Sequence, residues 1–179
     1  MTHSRALLTA YFTAERPLRI HVITLSDRAA QGLYEDKGGP RVVENLQRHF
    51  RDGGPAIALR TALLSDDPAA LQDTIAAALA QGTCLIVTTG GTGIGPRDHA
   101  PDVVMSMADK VIPGIMEMIR LKYGGEKPAA LLSRAVAVTV GPALIYTLPG
   151  SPKAVDEYMG EIVRTLDHAL CVSHGLDAH

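Results

Sequence analysis

Almost the whole chain is an ordered alternation of short β-branched or apolar runs with longer stretches of helical periodicity, and few architectures accept that order. Residues 19–25 (RIHVITL) and 56–64 read as strands. Residues 84–88 (CLIVT) form the most apolar run, the pattern of a central parallel strand covered on both faces. Between the first two runs, Pro40 stands where a first helical position should be. Val42, Val43, Leu46 and Phe50 keep helical spacing as far as Asp52, before Gly53-Gly54-Pro55 stops it. After the second run, Ser65 or Asp66 is expected to cap a helix through Gln81, with Leu71, Ile75, Ala78 and Leu79 facing a core and Gly82 ending it. Further helices are expected after Pro101 and after Pro113. Residues 135–140 and 143–148 flank Gly141-Pro142 as a hairpin, and Pro149-Gly150-Ser151-Pro152 turns the chain into a last helix striped by Val155, Met159, Ile162 and Leu166. The expectation is an α/β protein, a three-layer α/β/α sandwich whose mostly parallel central sheet has an antiparallel element near the C-terminal end. Its parts are an N-terminal arm over residues 1–17, one domain over residues 18–172 and a tail over residues 173–179. Residues 4–14 read as a short amphipathic helix, with Leu7, Leu8 and Tyr11 on one side, serving packing or oligomer contact.

Composition narrows the partners. Lys and Arg number 17 against 19 Asp and Glu, Trp is absent and aromatics make up 4% of the chain, so it lacks both the basic excess and the stacking platforms of a nucleic-acid binder. Nowhere do about 18 apolar residues run together, and the N-terminus has no signal-like apolar stretch. A cytoplasmic protein with no membrane and no nucleic-acid partner is expected. Cys84 and Cys171 match neither a metal spacing nor a disulfide scaffold, and read as reduced, buried thiols. The seven histidines form no ligand-spaced pair, which argues against zinc, and His99 reads as a bystander near the chemistry.

In doubly wound sheets, ligands lie beyond the carboxyl ends of the strands. The loops beginning at Ser26, Ser65, Gly90 and Pro149 would share that edge. Gly90, Gly91, Thr92 and Gly93 open a segment that reaches Pro96, Arg97 and Asp98, and it reads either as a phosphate cradle or as a tight strand-to-helix turn. The segment lacks the third glycine of a dinucleotide fingerprint and the lysine of a P-loop. Arg97 and Asp98 could hold a phosphate and a Mg²⁺ ion, or form a helix cap and a surface ion pair. Asp66-Asp67 has the same two readings. The long loop carrying Ser26, Asp27, Arg28, Asp36 and Lys37 reads as functional by its length.

Read together, Ser26-Asp27-Arg28, Gly32 with Asp36-Lys37-Gly38-Gly39-Pro40, the run from Thr89 through Pro96-Arg97-Asp98, Pro113-Gly114, Leu132-Ser133-Arg134 and Leu148-Pro149-Gly150-Ser151-Pro152-Lys153-Ala154 resemble the signatures of the molybdopterin adenylyltransferase family, over roughly residues 19–170. The resemblance implies a nucleotidyltransferase of molybdenum cofactor biosynthesis that moves AMP from Mg-ATP to the terminal phosphate of molybdopterin and releases pyrophosphate. It implies Asp66 and Asp98 as the catalytic carboxylates and Mg²⁺ ligands. Nucleotide or pterin binding falls on Ser26, Asp27, Asp36, Gly90, Gly91, Thr92, Gly93, Arg97, Ser133, Pro149, Gly150 and Ser151. It further implies a homotrimer, with hand-over of the product to a metal-insertion protein. The alternatives are a non-catalytic molybdopterin-binding paralogue acting as scaffold or regulator, a metal-insertion domain and a plain nucleotide-binding module. Because Trp is absent and few Phe or Tyr are available near the edge, planar ligands are expected to be held by backbone groups of residues 90–93 and of Pro149-Gly150, with polar side chains and metal handling the phosphates.

Overall fold

In the computed structural model, residues 2–176 are described. The strands are β1 (Leu18–Leu25), β2 (Ile57–Leu64), β3 (Leu85–Thr89), β4 (Lys110–Val111), β5 (Ala137–Val140) and β6 (Ala143–Leu148). The helices are α1 (His3–Tyr11), α2 (Asp27–Ala30), α3 (Gly38–Phe50), α4 (Pro68–Ala80), α5 (Ala100–Met107), α6 (Pro113–Gly124) and α7 (Pro152–Ser173), with a 3-10 turn at Pro128–Leu132. The six strands form one sheet in the order β2-β1-β3-β6-β5-β4. β2, β1, β3 and β6 run parallel, whereas β5 is antiparallel to β6 and β4 to β5. This is the expected α/β sandwich with its antiparallel element late in the chain.

Alternation along the strands builds two cores. Leu18, Ile20 and Val22 of β1, Leu85 and Val87 of β3 and Leu144 and Tyr146 of β6 face a layer of α1, α3, α6 and α7. Ile23, Ile86, Ile145 and Val138 face α4 and α5. Val155, Met159, Ile162 and Leu166 of α7 are all buried. Among the described residues no helix is long and apolar enough to cross a membrane. Both cysteines are free; Cys171 is buried, while Cys84 is only half-buried.

The starts of α4, α3 and α1 differ from the sequence reading, and α5 and α6 begin at Ala100 and Pro113, slightly earlier than expected. The cap of α4 is Asp67, not Ser65 or Asp66: its carboxylate accepts from the Ala69 N–H at 2.9 Å. Pro68 decides this, since it favours the first helical position and forces the residue before it into the extended region, where Asp67 sits at φ −108°, ψ 116°. Likewise α3 begins at Gly38, two residues before Pro40, because the Asp36 carboxylate accepts from the N–H groups of Gly38 and Gly39, each at 3.0 Å. α1 starts at His3, one residue before the expected start, and ends at Tyr11, earlier than expected; it packs on α7. Its Leu8 is fully buried and Phe12 just beyond it is 3% exposed. Arg5 ties the helix down further, with Nε 2.8 Å from Asp167 of α7, whose other oxygen lies 2.8 Å from His49 Nε2 of α3.

Register sets the site. Thr24 pairs with Thr89, and Thr89 with Leu148, so β1, β3 and β6 end almost level. The residues that follow, Ser26, Gly90 and Pro149, therefore leave the sheet side by side.

Candidate active site

The glycine loop is held at that edge from both sides. The Gly90 N–H donates to Leu148 O at 2.9 Å, and the Thr89 hydroxyl donates to Pro149 O at 2.8 Å. Gly90 has φ +101°, and a Cβ there would collide with the Leu25 carbonyl oxygen, so only glycine lets the loop cross the end of β1. Beyond the bend, Ala100 N–H at the start of α5 donates to Gly91 O at 3.1 Å, and Arg134 N–H donates to Thr92 O at 2.8 Å. The Asp98 carboxylate folds back into the loop: Oδ2 accepts from Gly95 N–H at 2.8 Å and would lie 2.8 Å from any Cβ added at Gly93. Here glycine serves to admit a carboxylate. Oδ1 of Asp98 accepts no hydrogen bond from the described residues.

A cavity of about 540 Å³ opens on this loop. Of the sequence-predicted residues, Gly91, Thr92, Gly93, Asp98, Ser133, Pro149, Gly150 and Ser151 wall it. Gly90 forms the joint behind the wall, where Gly150 packs against it. Ser151 also caps α7 through the Ala154 N–H, which aims the positive end of a 22-residue helix toward the same space.

Asp66, Asp27 and Arg97 lie elsewhere, in a cluster on the far side of the glycine loop. Asp66 Oδ2 accepts from Asp27 N–H at 3.2 Å, and Asp27 Oδ1 accepts from Asp66 N–H at 3.1 Å. Arg97 pairs with the other oxygen of Asp27. Asp66, Arg97, Gly91 and His99 line a small cleft there, so Gly91 borders both spaces. Since Asp67 does the capping, Asp66 keeps Oδ1 free of any described hydrogen-bond partner. Ser26 and Asp36 are held by structural roles: Ser26 caps α2, and Asp36, besides its two amides, accepts from the Thr24 hydroxyl at 2.7 Å. Among the described residues no three His, Cys, Asp or Glu side chains gather as a metal site.

The cavity also has walls that the sequence reading missed. Ile119 and Tyr123 of α6, Leu132, and Glu157 and Tyr158 of α7 line it, with Lys127 and Lys153 at its side. Two of the five tyrosines, Tyr123 and Tyr158, stand in this wall beside the backbone groups expected to hold a planar ligand. Lys127 Nζ sits 2.7 Å from Glu157 Oε1, and that carboxylate raises the pKa of the ammonium. Tyr158 is 4% exposed; burial raises its phenol pKa, and its hydroxyl lies 2.8 Å from Ser133 Oγ.

A doubly wound sheet whose level strand ends carry a glycine loop, an ordered carboxylate and a largely apolar cavity defines an α/β domain with its candidate ligand site beyond the carboxyl ends of the strands. Residues 21–168 match the family described as "Probable molybdopterin binding domain", and the chain belongs to that family. Among its relatives, the molybdopterin adenylyltransferase of Escherichia coli K12 is 39% identical over 141 residues, which is 78% of this chain and 71% of that protein. A molybdenum cofactor biosynthesis bifunctional protein of Synechococcus elongatus is 37% identical over 156 residues, and there the chain spans about half the relative, 47% of its length. The crystal structure of the molybdopterin biosynthesis enzyme MoaB from Thermus thermophilus superposes with a TM-score of 0.78 at 34% identity, covering 88% of this chain and 97% of that one.

Proposed function

We propose that the chain is a molybdopterin adenylyltransferase that moves AMP from ATP to the terminal phosphate of molybdopterin and releases pyrophosphate. The observation that carries this reading is the convergence of the glycine loop, Asp98, Ser133 and the Pro149-Gly150-Ser151 turn on one cavity, with Asp66 just across the loop. Its similarity to proteins named for that activity supports the same reading.

Both reactants are anions, and the protein's work is to bring them together. The N–H groups of Gly91, Thr92 and Gly93 and the positive end of α7 supply fixed donors that need no reorganisation as charge moves. Orientation within a walled cavity is worth on the order of 7–11 kcal/mol in well-aligned cases. A phosphate nucleophile is already ionised at neutral pH, so no side chain is required to take a proton from it. Asp98 at the cavity and Asp66 across the glycine loop each offer a free carboxylate oxygen, a hard donor suited to Mg²⁺, which takes one or two carboxylates and completes its shell with water and phosphate oxygens. When bound, that ion would neutralise phosphate charge. Arg97, held by Asp27, stands beside Asp66 as a second positive group.

The deciding experiment incubates the chain with molybdopterin and Mg-ATP and measures pyrophosphate. Release that requires molybdopterin supports the reading; molybdopterin binding without pyrophosphate under any divalent cation overturns it in favour of a scaffold paralogue. We further infer a cytoplasmic homotrimer that hands its product to a metal-insertion protein, and light scattering of the purified chain tests the trimer.

A further inference from the structure

Ser133 sits in the cavity wall with its surroundings fixed on three sides. The Arg134 N–H anchors the segment to Thr92 O at 2.8 Å, and Arg120 Nη1 donates to Ala135 O at 3.0 Å. From α7, Tyr158 reaches Ser133 Oγ at 2.8 Å, and the Ala135 N–H approaches the same oxygen at 3.4 Å. A phenol is a stronger donor and a weaker acceptor than an aliphatic alcohol, and burial keeps this phenol protonated. The donor in the pair is therefore Tyr158. Ser133 Oγ then accepts from Tyr158 and, more weakly, from Ala135. Its own hydrogen donates to none of the described residues, although the residue borders the open cavity.

We propose that Tyr158 is a positioning residue, whose phenol commits Ser133 to act as a hydrogen-bond donor toward an acceptor atom on the planar heterocycle of the ligand. This rests on the transferase reading only for the identity of the ligands, molybdopterin and ATP, both of which carry such a ring. The wall around Ser133 includes Tyr158, Leu132, Ala129 and Ala130, an apolar surface that suits a flat ring. In such a wall one obligatory donor discriminates between ring edges, because an unmatched buried hydroxyl loses its water without replacement.

The test is a double-mutant cycle on the full chain with Tyr158→Phe, Ser133→Ala and the pair. Molybdopterin and ATP are titrated separately by calorimetry, alongside pyrophosphate release and melting curves. Phe keeps the ring, so Tyr158→Phe is expected to melt with the wild type and to weaken one of the two ligands by about two- to tenfold, the range of one hydrogen bond. Ser133→Ala should weaken the same ligand by at least as much. The pair should bind no more weakly than Ser133→Ala alone, since Tyr158 would have nothing left to position. Coupling in the molybdopterin titration assigns the contact to the pterin, and coupling in the ATP titration assigns it to the adenine. Losses that multiply in the double variant, or no loss for either ligand in Tyr158→Phe, overturn the assignment. A wild type that binds molybdopterin but releases no pyrophosphate overturns the transfer reading instead, and the binding cycle still decides on Tyr158.

Discussion

Replacing Gly90 by alanine tests whether the end of β3 is built around a missing Cβ. At φ +101° a side chain is strained by about 1–3 kcal/mol even in open space. Here space is also lacking, because the new atom would fall inside the van der Waals shell of the Leu25 carbonyl oxygen. Relief requires parting the ends of β1 and β3, and that movement pulls Gly90 N–H from Leu148 O, a bond worth about 0.5–1.5 kcal/mol net. The sum is about 1.5–4.5 kcal/mol, or roughly 3–18 °C in melting temperature for a chain of this size. Gly32 is the matched control: its φ is +71°, but nothing lies within 4 Å of an added Cβ, so Gly32→Ala should cost only about 1–2 kcal/mol. Calorimetric melting of both variants gives the comparison. Pyrophosphate release, measured at a temperature where each is folded, should fall about 100-fold for Gly90→Ala, as expected when site groups shift by about an ångström. If Gly90→Ala melts and turns over like Gly32→Ala, the close crossing of β1 is not what the glycine is for.

Asp66→Asn and Asp98→Asn should each lower adenylyl transfer by at least about 100-fold while leaving the melting temperature within a few degrees, since neither side chain lies in the core; full transfer in either variant would refute its place in the site. Leu8→Ala removes a fully buried side chain at the α1–α7 contact and should cost about 2–5 kcal/mol, with turnover of the folded fraction unchanged. A melting temperature equal to that of the wild type would show that α1 adds nothing to the core. Burial against Tyr11 and Phe12 lowers the pKa of His174, so the folded chain holds it neutral while the unfolded chain charges it near 6.5. The stability this reflects is complete above that pH and falls as pH drops below it, by up to about 1.4 kcal/mol per unit. His174→Gln should flatten the decline measured by denaturant titration between pH 6.5 and 5.5.

What could be read from the residues divides along a physical line. β-branched runs and glycine stops placed every long strand to within two residues, because period and punctuation are local properties. β4, only Lys110–Val111, was invisible for the same reason: two residues have no period, and the strand exists only because β5 offers an edge. Among the loops, sequence order brought Asp66 and Asp98 to one edge of the sheet, but it carried no information about which side of the glycine loop each would occupy. Asp66 faces Asp27, and Asp98 faces the cavity.

Tyr158 marks the limit most clearly. Three residues after Val155 on the inward stripe of α7, it carries the spacing of a core residue, and it is buried like one. Helical periodicity tells which way a side chain turns; it does not tell whether the space it turns into is filled by other side chains or left open for a ligand. That difference arises from the length of neighbouring elements. α6 ends at Gly124 and the chain then loops through the 3-10 turn, and these two segments border the cavity opposite the first turns of α7, whose other side is held by Arg41 and Asn45 of α3 through Asp156. They bring Tyr123 and Lys127 into the wall. Of the few aromatic residues in the chain, two tyrosines thus stand at the opening, a placement that their number in the sequence does not reveal.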